Sequence, residues 1–335
     1  MTLGRAVAIL GAGGWGTALA VHLARAGHDA RLWARDPALA ADLQARQANA
    51  VYLPDIVFPP RLRVTADLPD ALHGVDFVVS AVPSHGTRQI LRRVAPLLRG
   101  GTTVVTATKG LEQDTLLRMS QVVEEELDHR VQVAVLSGPS FAAEVARQLP
   151  TAVSVASRDT AVVEQVQADF RAPYFRLYGT CDVVGVEVGG ALKNVIAIAA
   201  GVAEGLSLGH NALAGLITRG LAEITRLACA EGAHRETLAG LTGLGDLVLT
   251  CTGSLSRNRH VGIELARGRS LHEVLSSMKM VAEGVRTTEA ALALGARHGV
   301  ELPITAQVAE LLAGRKGARV ALEELMLRPQ RAETG

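Results

Sequence analysis

The sequence predicts an α/β protein, a parallel sheet with helices in the N-terminal half followed by an all-α C-terminal half. Three observations predict it. Short apolar runs alternate with helical stretches as far as residue 182. The first of these runs enters a glycine-rich turn that opens a helix. From residue 183 strand signals stop and helical periodicity dominates. The division expected is therefore 1–182, 183–328 and a disordered tail at 329–335.

Composition bounds what such a chain does. Its 335 residues are 48% hydrophobic and 20% charged, enough for the cores of two domains. The net charge of +1 implies no strong polyanion-binding field, and 3% aromatics weighs against base-stacking platforms, so nucleic acid is not expected as a partner. Cys181, Cys229 and Cys251 are isolated and odd in number. They fit reduced thiols in a cytoplasmic protein and make neither a disulfide framework nor a metal site. The apolar N-terminal run reads as a strand entering a turn, not as a signal peptide.

In chain order, Ala6–Leu10 (AVAIL) suits a buried parallel strand. Gly11-Ala12-Gly13-Gly14-Trp15-Gly16 follows, then a helical stretch ending at Gly27. This is G-x-G-x-x-G between strand and helix, the context a dinucleotide-binding fingerprint requires. Gly11 permits the tight turn, Gly13 lets backbone approach a pyrophosphate, and Gly16 brings helix against strand. A Rossmann-like N-terminal domain is the expectation. Residues 29–34 (DARLWA) are the second strand, ending in Arg35-Asp36. An arginine there accommodates a 2′-phosphate and an acid holds a ribose hydroxyl, so NADPH and NADH both stay open. A helix over 37–48 leads to a loop, Asn49 to Pro54, with a Pro-Pro pair at 59–60.

Residues 76–83 (DFVVSAVP) form the next strand and deliver Ser84-His85 to a helix start, His85 having a capping or surface role. Residues 102–108 form a strand that puts Lys109 at its carboxyl end, where ligands bind in open α/β sheets. Residues 131–136 lead to Ser137-Gly138-Pro139-Ser140-Phe141-Ala142, a small-residue loop offering N–H groups and a hydroxyl to an oxygen-rich substrate. Two short strands at 151–157 and 174–178 close the domain.

The helical half opens on the stretch around which the chain is organised, 187–205, EVGGALKNVIAIAAGVAEG. Lys193 lies in its middle, followed by Asn194. The run is too polar there and too glycine-rich for a convincing membrane span. A lone ammonium in an apolar helix is costly unless it is paired or faces a cavity. Burial and neighbouring cations lower its pKa, which suits a lysine that must give and take a proton. Of 34 basic residues only Lys109, Lys193, Lys279 and Lys316 are lysines, and arginine cannot release a proton near neutral pH. A further helix spans 211–231. Asp246 follows a Gly-x-Gly bend, where it caps a helix, pairs with Lys193 or meets a substrate hydroxyl. Ser256-Arg257-Asn258 opens a helix as an anion clamp. Glu283, after Val281-Ala282, is an N-terminal helix charge or a cofactor contact ahead of a helix at 285–298.

Together these features suit hydride transfer to a carbonyl on a small phosphorylated molecule. The chain resembles the bacterial NAD(P)-dependent glycerol-3-phosphate dehydrogenase family through GAGGWGTALA, NAVYLP, AVPSH, ATKGLE, SGPSFAAEV, GGALKNVIAIAAG, LTGLGDLVLTCT, SRNRHVG and VAEGVRTTEA, in family order. Gly14 stands where the family commonly has serine. The resemblance implies a cofactor site of Gly14, Trp15, Arg35, Ala142, Val281 and Glu283 on the glycine loop Gly11, Gly13, Gly16. It implies that Lys109 and Arg257 touch both ligands, and that Gly138, Ser140, Asp246, Ser256 and Asn258 bind glycerol 3-phosphate. Lys193 would accept the proton when C2 is oxidised and return it when dihydroxyacetone phosphate is reduced. A cytoplasmic homodimer feeding phospholipid synthesis, without metal, is implied as well. Two alternatives remain. One is a dehydrogenase of another hydroxy acid or sugar phosphate, against which the Arg257-Asn258 clamp and the GGALKN block argue. The other is a dinucleotide sensor, which would not need Lys193 to titrate.

Overall fold

The computed structural model describes residues 4–330 and 332. Among the described residues there are ten strands and sixteen α-helices; the seven strands expected from the sequence are all present, and three further short strands between residues 48 and 65 were not expected. The N-terminal half contains β1 (Ala6–Leu10), α1 (Gly14–Arg25), β2 (Asp29–Trp33), α2 (Pro37–Arg46), β3 (Ala48–Asn49), β4 (Leu53–Val57), β5 (Leu62–Thr65) and α3 (Leu68–Leu72). It continues with β6 (Phe77–Ser80), α4 (Ser84–Val94), β7 (Thr103–Thr106), α5 (Met119–Glu126), β8 (Gln132–Ser137), α6 (Ala142–Ala146), β9 (Thr151–Ala156), α7 (Thr160–Phe170) and β10 (Phe175–Thr180). The remainder is helical: α8 (Val183–Gly205), α9 (Gly209–Ala230), α10 (Arg235–Ala239), α11 (Asp246–Thr252), α12 (Arg257–Ala266), α13 (Leu271–Ser277), α14 (Glu283–His298), α15 (Pro303–Leu312) and α16 (Ala318–Met326). The expected tail falls largely outside the described residues.

Eight strands form one sheet in the order β10-β9-β8-β7-β6-β1-β2-β5. All neighbours are parallel except β8 and β9, which pair antiparallel. The sheet grows from β1 toward β5, then returns to the other side of β1 with β6. That reversal opens a crevice at the carboxyl ends of β1 and β6, the place where open α/β sheets bind ligands. Val, Ile, Leu and Phe from alternate strand positions fill a core on each face.

Two readings of the sequence need correction. The helix expected over 37–48 stops at Arg46, because Gln47 takes a left-handed conformation with φ of 51°. The stretch from Asn49 to Pro54 is not a plain loop, since β3 and β4 pair there as a small antiparallel ribbon with a register break at Asn49. Asp36 is the N-cap of α2, its Oδ1 accepting from Ala38 N at 2.9 Å.

In the helical half α8 is the axle, packed by α9, α11, α12 and α14. By length and a mean hydropathy of 1.6 it could cross a membrane, but 89% of that window is buried inside the protein. Its closest neighbour is α12. A Cβ on Gly201 would stand 1.9 Å from Arg259 O, and one on Gly262 1.9 Å from Ile198 O, so glycine at both positions lets the two backbones touch. Asp182 caps α8 through Gly185 N at 2.8 Å and holds His234 N at 2.9 Å. Glu187, six residues before Lys193, is buried and accepts from Arg118 Nη1 at 2.6 Å and from Ser120 N and Oγ at 2.7 and 2.6 Å. That cluster bolts α8 to the start of α5 across the two halves.

His22 of α1 is fully buried, its ring nitrogens on Phe170 O and Tyr174 Oη at 2.8 and 2.9 Å. Burial drives its pKa from 6.5 to about 4. The unfolded chain therefore binds the extra proton first as pH falls, and stability present above pH 6.5 is lost between 6.5 and 4. The expected loss is about 3 kcal/mol. His22→Gln should flatten that part of an unfolding free-energy profile against pH. An unchanged slope in the variant would remove His22 as its source.

Candidate active site

The glycine loop is built as the fingerprint requires. Gly11 has φ of +106° and turns the chain out of β1. A Cβ on Gly16 would lie 1.9 Å from Gly11 O, so α1 starts directly against the turn. Gly13 is the N-cap of α1, no side chain caps that helix, and no atom lies within 4 Å of where a Gly13 Cβ would be. Open space before uncapped helix N–H groups fits the pyrophosphate of a dinucleotide. Trp15 Nε1 is buried with no acceptor among the described residues. Ala142 and Met280, the latter next to Val281, border Gly14 at 3.9 and 3.8 Å from its would-be Cβ. Arg35 is exposed just beyond β2 and makes no ion pair among the described residues.

Glu283 begins α14, and its carboxylate does more than balance a helix end. Oε1 accepts from Ser84 N at 3.1 Å and Oε2 from Ser84 Oγ at 2.7 Å, closing the helical half onto the strand-end loop after β6. His85 is exposed and does not cap α4, whose N-cap is Pro83. Its pKa is lowered by partial desolvation and by Arg286, with Glu283 opposing and Arg35 adding to the lowering.

The second cluster joins both halves. Lys109 follows β7, Gly138 and Ser140 follow β8, Lys193 sits mid-α8 and Asp246 begins α11. Asp246 does not cap its helix. It is 1% exposed, and its Oδ1 accepts from Lys193 Nζ at 2.5 Å while Oδ2 accepts from Lys109 Nζ at 2.8 Å. Lys193 Nζ also donates to Thr250 Oγ1 at 2.8 Å, and Thr250 donates to Asp246 O at 2.6 Å. Lys109 Nζ donates further to Gly138 O at 2.7 Å and Ser140 Oγ at 3.3 Å. Two ammonium groups thus share one carboxylate, leaving net positive charge in a buried place. Burial lowers the Lys193 pKa from 10.5 to about 8; Asp246 raises it and Lys109 lowers it. Cys251, beside Thr250, has its thiol pushed up to about 12 by burial and stays protonated.

The α12 start joins this cluster through Asn258. Ser256 caps the helix through Arg259 N at 3.2 Å. Arg257 is exposed and makes no ion pair among the described residues; nearby protein still desolvates its guanidinium, which lowers its pKa against the opposing influence of Glu283. The Asn258 side chain is largely committed: Nδ2 donates to Asn194 Oδ1 at 2.9 Å and Oδ1 accepts from Gly284 N at 3.0 Å. Asn194 in turn donates to Lys109 O at 3.2 Å. Sequence reasoning missed Thr250 and the Glu283–Ser84 contact. Thr250 was signalled by its i, i+4 spacing from Asp246. A contact between residues 199 apart, such as Ser84 with Glu283, has no local signal.

A glycine-turn helix start of dinucleotide-binding form in one half and a buried lysine of lowered pKa in the other point to the class of nicotinamide-linked dehydrogenases. The sequence comparisons specify the member. The chain matches the N-terminal model of NAD-dependent glycerol-3-phosphate dehydrogenase over residues 6–163 and the C-terminal model over 182–323. It is 52% identical to glycerol-3-phosphate dehydrogenase [NAD(P)+] of Koribacter versatilis over 331 residues, 98% of each chain. It is 53% identical to that of Geobacter sulfurreducens over 329 residues, again 98% of each. The crystal structure of the Coxiella burnetii glycerol-3-phosphate dehydrogenase superposes with a TM-score of 0.94 at 42% identity, covering 97% of this chain and 99% of that one. The chain belongs to the NAD-dependent glycerol-3-phosphate dehydrogenase family. A ketopantoate reductase from Ralstonia eutropha, at 18% identity and a TM-score of 0.62, shares the fold alone.

Proposed function

We propose that this chain interconverts dihydroxyacetone phosphate and sn-glycerol 3-phosphate, using NAD(P)H or NAD(P)+, with Lys193 as general acid and base. The observation that carries the reading is Lys193 itself, buried, paired with Asp246 and poised near pH 8. The nicotinamide cofactor that the glycine loop would hold would, when bound in its reduced form, supply the hydride for the substrate's carbonyl carbon. Lys193, as ammonium, gives its Nζ proton to the carbonyl oxygen, and as amine it takes that proton back in the oxidative direction. Asp246 and Thr250 hold Nζ in place. Lys109 draws in the anionic substrate and, with Gly138 and Ser140, lines its hydroxyl end. Ser256, Arg257 and Asn258 offer the α12 start to the phosphate, Asn258 through its backbone N–H or remaining amide hydrogen. Gly11, Gly13, Gly14, Trp15, Gly16, Arg35, Ala142, Val281 and Glu283 form the cofactor side, reached also by Lys109 and Arg257. The working units are residues 1–182 and 183–328. A cytoplasmic homodimer supplying phospholipid synthesis is part of the same reading.

The capping of α2 by Asp36 favours NADPH. That carboxylate is committed to Ala38 N, whereas Arg35 is exposed and unpaired among the described residues. Purified protein should oxidise NADPH on addition of dihydroxyacetone phosphate, followed by loss of the reduced-nicotinamide absorbance, and faster than NADH at equal low concentration. Arg35→Ala should lower kcat/KM for NADPH roughly tenfold, the scale of one hydrogen bond to a charged group, and leave NADH nearly unchanged. Measurable NADPH binding without oxidation would sink the substrate assignment. Equal losses with both cofactors would sink the role of Arg35.

A further inference from the structure

We propose that Asn49 is the positioning residue of the pyrophosphate cradle, a role that rests on the dinucleotide reading above. Asn49 touches no expected ligand. It is fully buried at the register break between β3 and β4, and a break of this kind re-aims a side chain. Here the amide reaches the glycine loop. Nδ2 donates to Ala12 O at 3.0 Å and to Thr17 Oγ1 at 2.8 Å, and Oδ1 accepts from Tyr52 N at 3.0 Å.

The first of these bonds sets a peptide plane, and Thr17 Oγ1, itself held by Asn49, adds a longer bond to the same Ala12 O at 3.4 Å. In a trans peptide the carbonyl of Ala12 and the N–H of Gly13 point in opposite directions. Holding Ala12 O toward Asn49 therefore turns the Gly13 N–H to the other side, where Gly13 is exposed. The bond to Tyr52 N sets a second wall. Tyr52 O stands 2.9 Å from where a Gly14 Cβ would be, so the turn from Asn49 to Tyr52 is pressed against the loop. One amide thus fixes both the donor direction and the width of the cradle. Packing alone would be served by leucine, whereas the amide spends its hydrogen-bonding groups on Ala12 of the glycine loop, on Thr17 in α1 and on the turn from Asn49 to Tyr52. Aspartate would set a carboxylate against Ala12 O and place negative charge behind a phosphate site.

The test is equilibrium binding to the purified, ligand-free protein. Wild type, Asn49→Leu, Asn49→Asp and the milder Asn49→Ser are titrated with NADPH and with adenosine 2′-monophosphate, which keeps the adenosine and its 2′-phosphate but has no 5′-phosphate to enter the cradle. Thermal unfolding shows which variants are folded. Folded variants should bind NADPH about 10- to 100-fold more weakly, aspartate worst and serine least. Their affinity for the monophosphate should stay within about threefold, and kcat at saturating NADPH likewise, because the loss is in ground-state binding. NADPH affinity within about threefold of wild type in Asn49→Leu or, should that variant not fold, in Asn49→Ser would overturn the proposal. Parallel loss of both ligands would overturn it too. Wild type that binds NADPH but leaves dihydroxyacetone phosphate unreduced defeats the substrate reading and leaves the brace intact. Wild type that binds no NADPH overturns both.

Discussion

Lys193→Met is expected to lower turnover with dihydroxyacetone phosphate by about 10²- to 10⁴-fold, the usual contribution of a positioned acid or base. NADPH should still bind, because the glycine loop and Arg35 lie on the other half of the chain. Methionine keeps the length of the side chain and suits its buried surroundings, so a folding defect is not the expected cause. Lys193→Arg separates charge from proton transfer. It keeps a cation near Asp246 but cannot give up its proton near neutral pH. If Lys193 served only as a fixed charge, arginine would restore much of the rate, and that recovery would refute the acid–base role.

The same assignment fixes the pH profile of the native enzyme. Reduction needs Lys193 protonated, so kcat/KM for dihydroxyacetone phosphate should hold below about 8 and fall as pH rises through it. Oxidation of glycerol 3-phosphate needs the amine and should rise through the same pH. The two directions share one group and must bend in opposite senses.

Lys193 was legible because a charge in the middle of an apolar helix violates the pattern around it, and such violations mark sites. The glycine loop was legible because its context, strand before and helix after, can be read within a dozen residues. The buried strands were legible from their apolar runs. What could not be read is what depends on distant partners. Asp246 left three readings open, and only the fold brings Lys109, 137 residues away in the chain, to its second oxygen. Asn49 looked like part of a loop because a two-residue strand carries no periodicity. Its register break, which turns the amide onto Ala12, follows from pairing with β4. The Arg35-Asp36 ambiguity had the same origin. Aspartate before proline is also a helix-start signal, and the structure gives Asp36 that use.

The sharing of one carboxylate by two ammonium groups makes Asp246→Asn the second large prediction. The carboxylate raises the Lys193 pKa while burial and Lys109 lower it. Removing the charge takes away the largest raising influence and leaves burial and Lys109 in place, so the group's pKa should fall below about 8. Less Lys193 is then protonated at neutral pH. Reduction should slow by roughly a hundredfold, the lower end of what general acid catalysis contributes. Its high-pH limb should move toward acid. Oxidation at the same pH should suffer less, since the amine is the form it needs. Loss of the buried pair also costs stability. Breaking such a pair typically costs about 3–5 kcal/mol, and here the cost is reduced because Lys193 can shed its proton instead. Lys109 keeps its bonds to Gly138 O and Ser140 Oγ, so substrate attraction should survive better than proton transfer. A pH–rate profile of folded Asp246→Asn therefore decides the point. If its limb stays near 8, Asp246 is only a strut, and the tuning of Lys193 belongs to burial and Lys109.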